Sequence, residues 1–250
     1  MELREGPAPA HSSGLARPLN LLGLAARLTL GAGMLAAITA VAMSQMRLDL
    51  IDRITNGEDV SEAQAHAADQ HARYAGLAYL ACCLVAGIVF IVWFYRAWCN
   101  AQTYGTRAQR HAKGWVVGGW LCPFANLVIP YRITCDIALA SVPSSDAPRH
   151  PLRLVRWWWA FWVLSLVAGF AGNDSQKDAQ ATDRFLQTYY LLAFVAAGLA
   201  IAVVGRVTDD QEIRRQRASD PGPPTGAAMT SAHSTNRPVA KGRRWRPPPA

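Results

Sequence analysis

Uncharged runs divide this chain. Leu28–Met46, Tyr74–Tyr95, Trp157–Gly172 and Phe185–Gly205 contain no Asp, Glu, Lys or Arg. A helix rises about 1.5 Å per residue and needs roughly 20 residues to cross about 30 Å of hydrocarbon. Tyr74–Tyr95 and Phe185–Gly205 meet that length, and Leu28–Met46 nearly does. Trp157–Gly172 is short, but Leu152–Leu154 extend it if Arg153 and Arg156 snorkel to the headgroups. The pattern predicts transmembrane helices over about residues 28–46, 74–98, 154–172 and 185–205.

A fifth uncharged run, Gly114–Tyr131, has spanning length but contains Gly118-Gly119, Pro123, Asn126 and Pro130. Proline removes a backbone donor and clashes with the preceding turn, so a straight helix is disfavoured. The expected fold class is therefore an all-α integral membrane protein. It has four transmembrane helices plus one broken re-entrant or interfacial segment over residues 114–131, on the cytoplasmic side.

Between the first two spans, Asn56-Gly57 marks a turn, and Asp59 or Ser61 can cap a helix. That helix is expected to continue through Arg73 and the second span to about Thr103, a length of about 60 Å. Leu19–Leu24 reads as an interfacial stretch ahead of the first span. Tyr131–Ser141 reads as a short helix, followed by a loop holding Pro143, Pro148 and Pro151. The membrane domain is bounded at residues 19–206, and Val207–Arg217 continues the last span as a charged helix. Met1–Pro18 and the Pro-rich, basic tail Ala218–Ala250 are expected to be disordered. Ala40-Val41-Ala42 resembles a signal-peptide cleavage site, but the apolar run is long and begins well inside the chain, which favours an uncleaved first span.

Charge orients the spans. Basic residues collect on the cytoplasmic side of short loops. The loop after the first span and the loop Asn173–Arg184 are both net acidic, whereas residues 96–156 and the stretch from Arg206 onward are basic. With both termini cytoplasmic, 20 of the 25 basic residues and 8 of the 17 acidic ones fall inside. A fifth span would move both the Arg149–Arg156 cluster and the basic tail to the outer side, against that rule. The five cysteines match no disulfide framework and no zinc spacing.

Several constellations carry chemistry. Arg96 and Asn100 share a helical face, as do Arg132 and Asp136. With Asn126 they form the candidate polar cluster. It can brace the irregular backbone of the broken segment, or bind an ion, headgroup or solute. Trp93, Trp98, Trp115, Trp120, Tyr131, Trp157, Trp158 and Trp159 suggest an aromatic belt at the inner interface, with a ligand cage as the lesser reading. Glu62, His66, Asp69 and Arg73 form a helical stripe that reads as a solvated face rather than a metal or pH-sensing set. Gly242–Pro249 joins a basic cluster to Trp245 and three prolines, suited to anionic lipid or a protein groove.

Trp93-Phe94-Tyr95-Arg96-Ala97 with Asn100-Ala101, then Gly114–Trp120, Pro123, Asn126-Leu127, Pro130-Tyr131 and Trp157–Trp159, resemble one family of bacterial membrane proteins. It is common in actinobacteria and defined only as a domain of unknown function, DUF4328. The resemblance implies a multi-span protein of the bacterial plasma membrane, and it implies no catalytic residue. The second basic residue of that pattern, near Trp98 or Cys99, is absent here.

No nucleophile–base, P-loop or metal-binding motif occurs, so no catalytic, cofactor-binding or metal residue is assigned and an enzyme is the least favoured class. The leading expectation is a non-enzymatic scaffold, sensor or partner-binding protein. The alternative is a subunit of a small transporter or channel, its polar site at the broken segment. Expected partners are the lipid bilayer, anionic lipid or a cytoplasmic protein through the tail, and further copies of the chain. Nucleic acid is not expected, because no folded soluble module accompanies the charge.

Overall fold

Hydrophobic patterning resolves into helices throughout. In chain order they are α1 Asn20–Thr55, α2 Glu62–Thr103, α3 Lys113–Leu121, α4 Pro123–Asn126, α5 Ile129–Ser141, α6 Pro151–Asp174 and α7 Ala179–Ser219. The structure, a computed structural model, describes residues 16–104, 111–142, 151–174 and 179–219, and no strand occurs among them. Pro143 and Pro148 of the expected proline loop, nearly all of the N-terminal region expected to be disordered, and the tail beyond Ser219 lie outside the described residues, whereas Pro151, expected in that loop, instead opens α6, a position where its missing N–H costs nothing. The chain divides into two units, Met1–Gln216 and Arg217–Ala250. Of the second, only the last residues of α7 are described.

Among the described residues four helices, α1, α2, α6 and α7, are long and apolar enough to cross a membrane. Large apolar side chains project from all four, among them Leu35 and Ile38, Leu84 and Ile88, Val167 and Phe170, and Leu191. In water so large an apolar surface would be costly; against hydrocarbon it is not.

α2 begins at a capping box. The Gln64 N–H donates to Ser61 Oγ at 3.3 Å, and the Ser61 N–H donates to Gln64 Oε1 at 3.1 Å. Both bonds satisfy donors that the first helical turn leaves unpaired. The turn before it places Gly57 at φ +80°, a conformation glycine adopts without strain. From Glu62 the helix continues unbroken for 42 residues.

α1 departs from expectation. Its helix is continuous from Asn20, before the uncharged run begins, and Leu19 is buried. Close packing explains this. A Cβ at Gly23 would stand 2.6 Å from Thr208 Oγ1, so only glycine lets α1 approach α7 this closely. Thr208 Oγ1 in turn accepts the indole N–H of buried Trp93, at 3.1 Å.

The broken segment bends by 105° between α3 and the α4–α5 pair. Cys122 is extended there, and Pro123 opens the next helix, where its missing N–H costs nothing. Gly119 lies under Ile129, whose Cγ2 would be 3.0 Å from an added Cβ, so the segment folds tightly back on itself. Its path is marked by its neighbours. Lys113 sits 5.6 Å from the Tyr95 ring centre, Trp120 packs edge-on against Phe90 and Phe94, and α5 ends at Ser141 beside Gln211 of α7. The segment thus penetrates between helices and returns towards the end of the bundle where Arg17, Asn100 and Gln211 meet.

The opposite end is held by charge. Arg47 of α1 reaches Asp69 of α2 at 2.7 Å and also pairs with buried Asp183 of α7.

Two predictions follow from this packing. Gly23→Ala should cost about 1–3 kcal/mol by overpacking against Thr208. Gly33→Ala, where an added Cβ meets nothing within 4 Å, should be neutral or gain up to about 1 kcal/mol. Thermal unfolding in detergent measures both. Arg47→Gln, which leaves the Asp183 carboxylate buried without its cation, should lower stability by about 3–5 kcal/mol. Arg53→Gln, which breaks the exposed Arg53–Glu58 pair, should cost under about 1 kcal/mol.

Candidate functional site

The densest buried polar chemistry lies where α2, α5 and α7 meet the segment before α1. The stripe Ala200, Val203, Val204, Val207, Thr208 and Gln211 is buried at helical spacing, so α7 carries its apolar face past Arg206 and delivers Gln211 into the interior. Gln211 Nε2 donates to the Ala97 carbonyl and to Ser141 Oγ, each at 3.0 Å. Its Oε1 accepts from Asn100 Nδ2 at 3.1 Å. Asn100 Nδ2 also donates to the Arg17 carbonyl at 2.9 Å, and its Oδ1 accepts the Arg17 N–H at 3.1 Å.

The network extends outward. The Ser141 hydroxyl donates to the Ile137 carbonyl at 2.8 Å, and Tyr104 donates to the Gln211 carbonyl at 3.2 Å. Arg214 donates to the Ala140 carbonyl and lies 4.7 Å from the Tyr104 ring centre. Both amide side chains use their donors and their acceptor oxygen. A buried network satisfied this fully rigidifies a structure, whereas each orphaned group would cost about 1–3 kcal/mol.

Of the five residues in the expected cluster, Asn100 stands in this network. Its side-chain hydrogen bonds among the described residues go to Arg17 and Gln211. Arg96 is half-buried on α2, one turn before Asn100. Asn126 ends α4, and its Oδ1 is buried with no hydrogen-bond partner among the described residues. On α5, Arg132 is exposed and Asp136 is buried one turn further along. A cavity of about 300 Å³ lies elsewhere, against α2, α6 and α7, and none of the five lines it.

The aromatic residues also divide. Trp93, Trp98, Trp158 and Trp159 are buried, while Trp115 and Trp157 are exposed. The inserted segment contributes to this at α6, where it presents Trp120 to Trp159 and Trp162, with ring centres 6.1 Å apart in both pairs. Rings that periodicity assigns to the interface therefore pack against protein. The stripe on the outer part of α2 leaves Glu62, His66 and Arg73 exposed, with Asp69 paired to Arg47. Among the described residues, no three His, Cys, Asp or Glu side chains group as a metal site.

Gln211 went unnoticed in the sequence because Asp209, Asp210 and Glu212 surround it. The signal that finds it is the apolar stripe of α7, which stays in phase for nearly two turns beyond Gly205, where the uncharged run ends.

A protein-family model described as a domain of unknown function (DUF4328) matches residues 56–209. The match takes in Trp93, Asn100 and the broken segment, but neither Arg17 nor Gln211. No curated protein matches the chain, and no solved structure does.

Asn100→Ala and Gln211→Ala should each lower stability by about 1–3 kcal/mol, through partners left unsatisfied. The double variant should cost less than the two losses combined, with a coupling of about 0.5–3 kcal/mol. Thermal unfolding of the four proteins measures this; strict additivity would show that the network does not act as a unit.

Proposed function

We propose, for a chain that belongs to the DUF4328 family of unknown function, a non-enzymatic role as a multi-pass scaffold of the bacterial plasma membrane. Its basic tail faces the cytoplasm and holds a cytoplasmic protein or anionic lipid there. The observation that supports this reading is the paired network around Gln211. It ties the chain before α1, the end of α2, the returning α5 and the last turns of α7 into one rigid end. A binding platform needs such rigidity. A permeation path needs polar groups left open to water, as irregular backbone in transporters provides.

The charge balance supports placing that end, with the broken segment, on the cytoplasmic side. Basic residues of the tail near an anionic surface each contribute about 1 kcal/mol of attraction. The transporter reading requires water to reach Arg132 and Asp136, and the cavity of about 300 Å³ is lined by neither.

Two experiments test the reading. With the five native cysteines replaced by alanine, Ser61→Cys should react with an impermeant thiol reagent added to whole cells. Ser231→Cys should react only after lysis; labelling of Ser231→Cys in intact cells overturns the topology. Crosslinking in native membranes should capture a partner that vanishes when residues 220–250 are deleted. A crosslinking pattern unchanged by that deletion removes the role given to the tail.

A further inference from the structure

We propose that the cavity inside the bundle is a binding site for a long hydrocarbon chain, its oxygen-bearing end at the Tyr79–Tyr189 hydroxyl pair. This rests on the membrane reading above, though not on the role of the tail.

The cavity encloses about 300 Å³. Along one side run Tyr79, Cys83, Ala86, Gly87 and Phe90, one face of α2 with a rise of about 16 Å. Opposite them Ala193, Ala196, Ala197 and Ala200 of α7 are too small to fill the gap. Trp120, Trp158 and Trp162 line the end nearer Phe90. The space is therefore long, narrow and apolar. Protein interiors are packed to the density of organic crystals, so an unfilled, mainly apolar space of this size is an exception within the bundle. Its volume and lining match a small-molecule site with few polar groups.

The space also leads outward. A second cavity of about 50 Å³ shares Tyr79, Cys83, Ala86, Ala193 and Ala197 with the first, and extends to Ala37 and Phe194. A third, of about 170 Å³, is lined by Ala37 and Phe194 together with Ile38, Val41, Tyr190 and Leu191. Ile38 and Leu191 are exposed, so the row ends on the lipid-facing side of α1 and α7. Each lining helix is one that can cross a membrane, apart from the inserted α3, so hydrocarbon lies beside the opening. An extended chain fits the row, whereas a folded ligand does not.

Polarity orients the occupant. Tyr79 donates to Tyr189 across 3.3 Å, and both rings line the cavity. Tyr189 keeps its own hydroxyl proton for a carboxyl or ester oxygen. The chain then runs from the tyrosines towards Trp158. A phospholipid acyl chain and a free fatty acid share this chemistry.

The test uses the full-length protein in vesicles containing a diazirine-bearing stearic acid. After irradiation, adducts are mapped by peptide mass spectrometry, and lipid co-purifying with unlabelled protein is identified by extraction. Adducts are expected on the Cys83–Ile91 and Trp158–Leu166 peptides. The extracted species tells an acyl lipid from a free acid. Ala197→Phe, which fills both inner cavities, should reduce those adducts about tenfold. Labelling at lipid-facing Val167 and Phe170 should not change. Ala193→Leu carries the same test if Ala197→Phe does not fold. Tyr189→Phe should weaken retention of the acid but not of an alkane probe of equal length; equal loss of both overturns the placement of the head. Wild-type protein embedded in the vesicles without cavity adducts, or fillers labelled like wild type, overturns the site. Failure to embed at all would instead overturn the membrane reading.

Discussion

One side-chain amide organises an end of this molecule. Gln211 offers two donors and one acceptor oxygen, and each finds a partner: the Ala97 carbonyl and the Asn100 amide of α2, and the Ser141 hydroxyl of α5. Asn100 passes the connection on to the backbone of Arg17. Apolar contact alone does not select one arrangement of helices in hydrocarbon, where lipid tails are as apolar as leucine. Small residues and paired polar groups do select one. Here Gly23 brings α1 against Thr208, Thr208 accepts from Trp93, and Gln211 lies one turn beyond.

The inserted segment depends on the same constraint. Irregular backbone at membrane depth is tolerated where protein surrounds it. The Leu127 carbonyl, in the turn after α4, accepts the indole N–H of Trp159 at 3.1 Å. Trp120 meanwhile fills the space between Phe90 and Trp162. The tryptophans of α6 thus supply both the ring surface and the donor that a bent, proline-interrupted segment needs.

Much of the fold was legible because its causes are local. Uncharged runs of spanning length became long helices, Ser61 capped α2, and the segment broke at Cys122, directly before Pro123. The site was less legible because its causes are not local. Arg96, Asn126, Arg132 and Asp136 were grouped by spacing and by closeness to the broken segment, yet the hydrogen bonds of Asn100 lead 83 residues back and 111 forward. Spacing shows which residues share a helix face. It does not show which helix that face meets. The tryptophans illustrate the same limit, since an interfacial ring and a core ring have identical sequence patterns until the inserted segment supplies a neighbour.

The span of the Asn100–Gln211 bond has a consequence for biosynthesis. Chains emerge at about 5–20 residues per second, so Gln211 follows Asn100 by on the order of ten seconds. Through that interval α1 and α2 can pair, and Arg17 can engage Asn100. One end of the young bundle nevertheless lacks the acceptor for an amide hydrogen, and Ser141 lacks its donor. The emergence of α7 closes both together. Until the final helix is made, the helices before it are a provisional assembly, unsealed at the surface that Gln211 later closes.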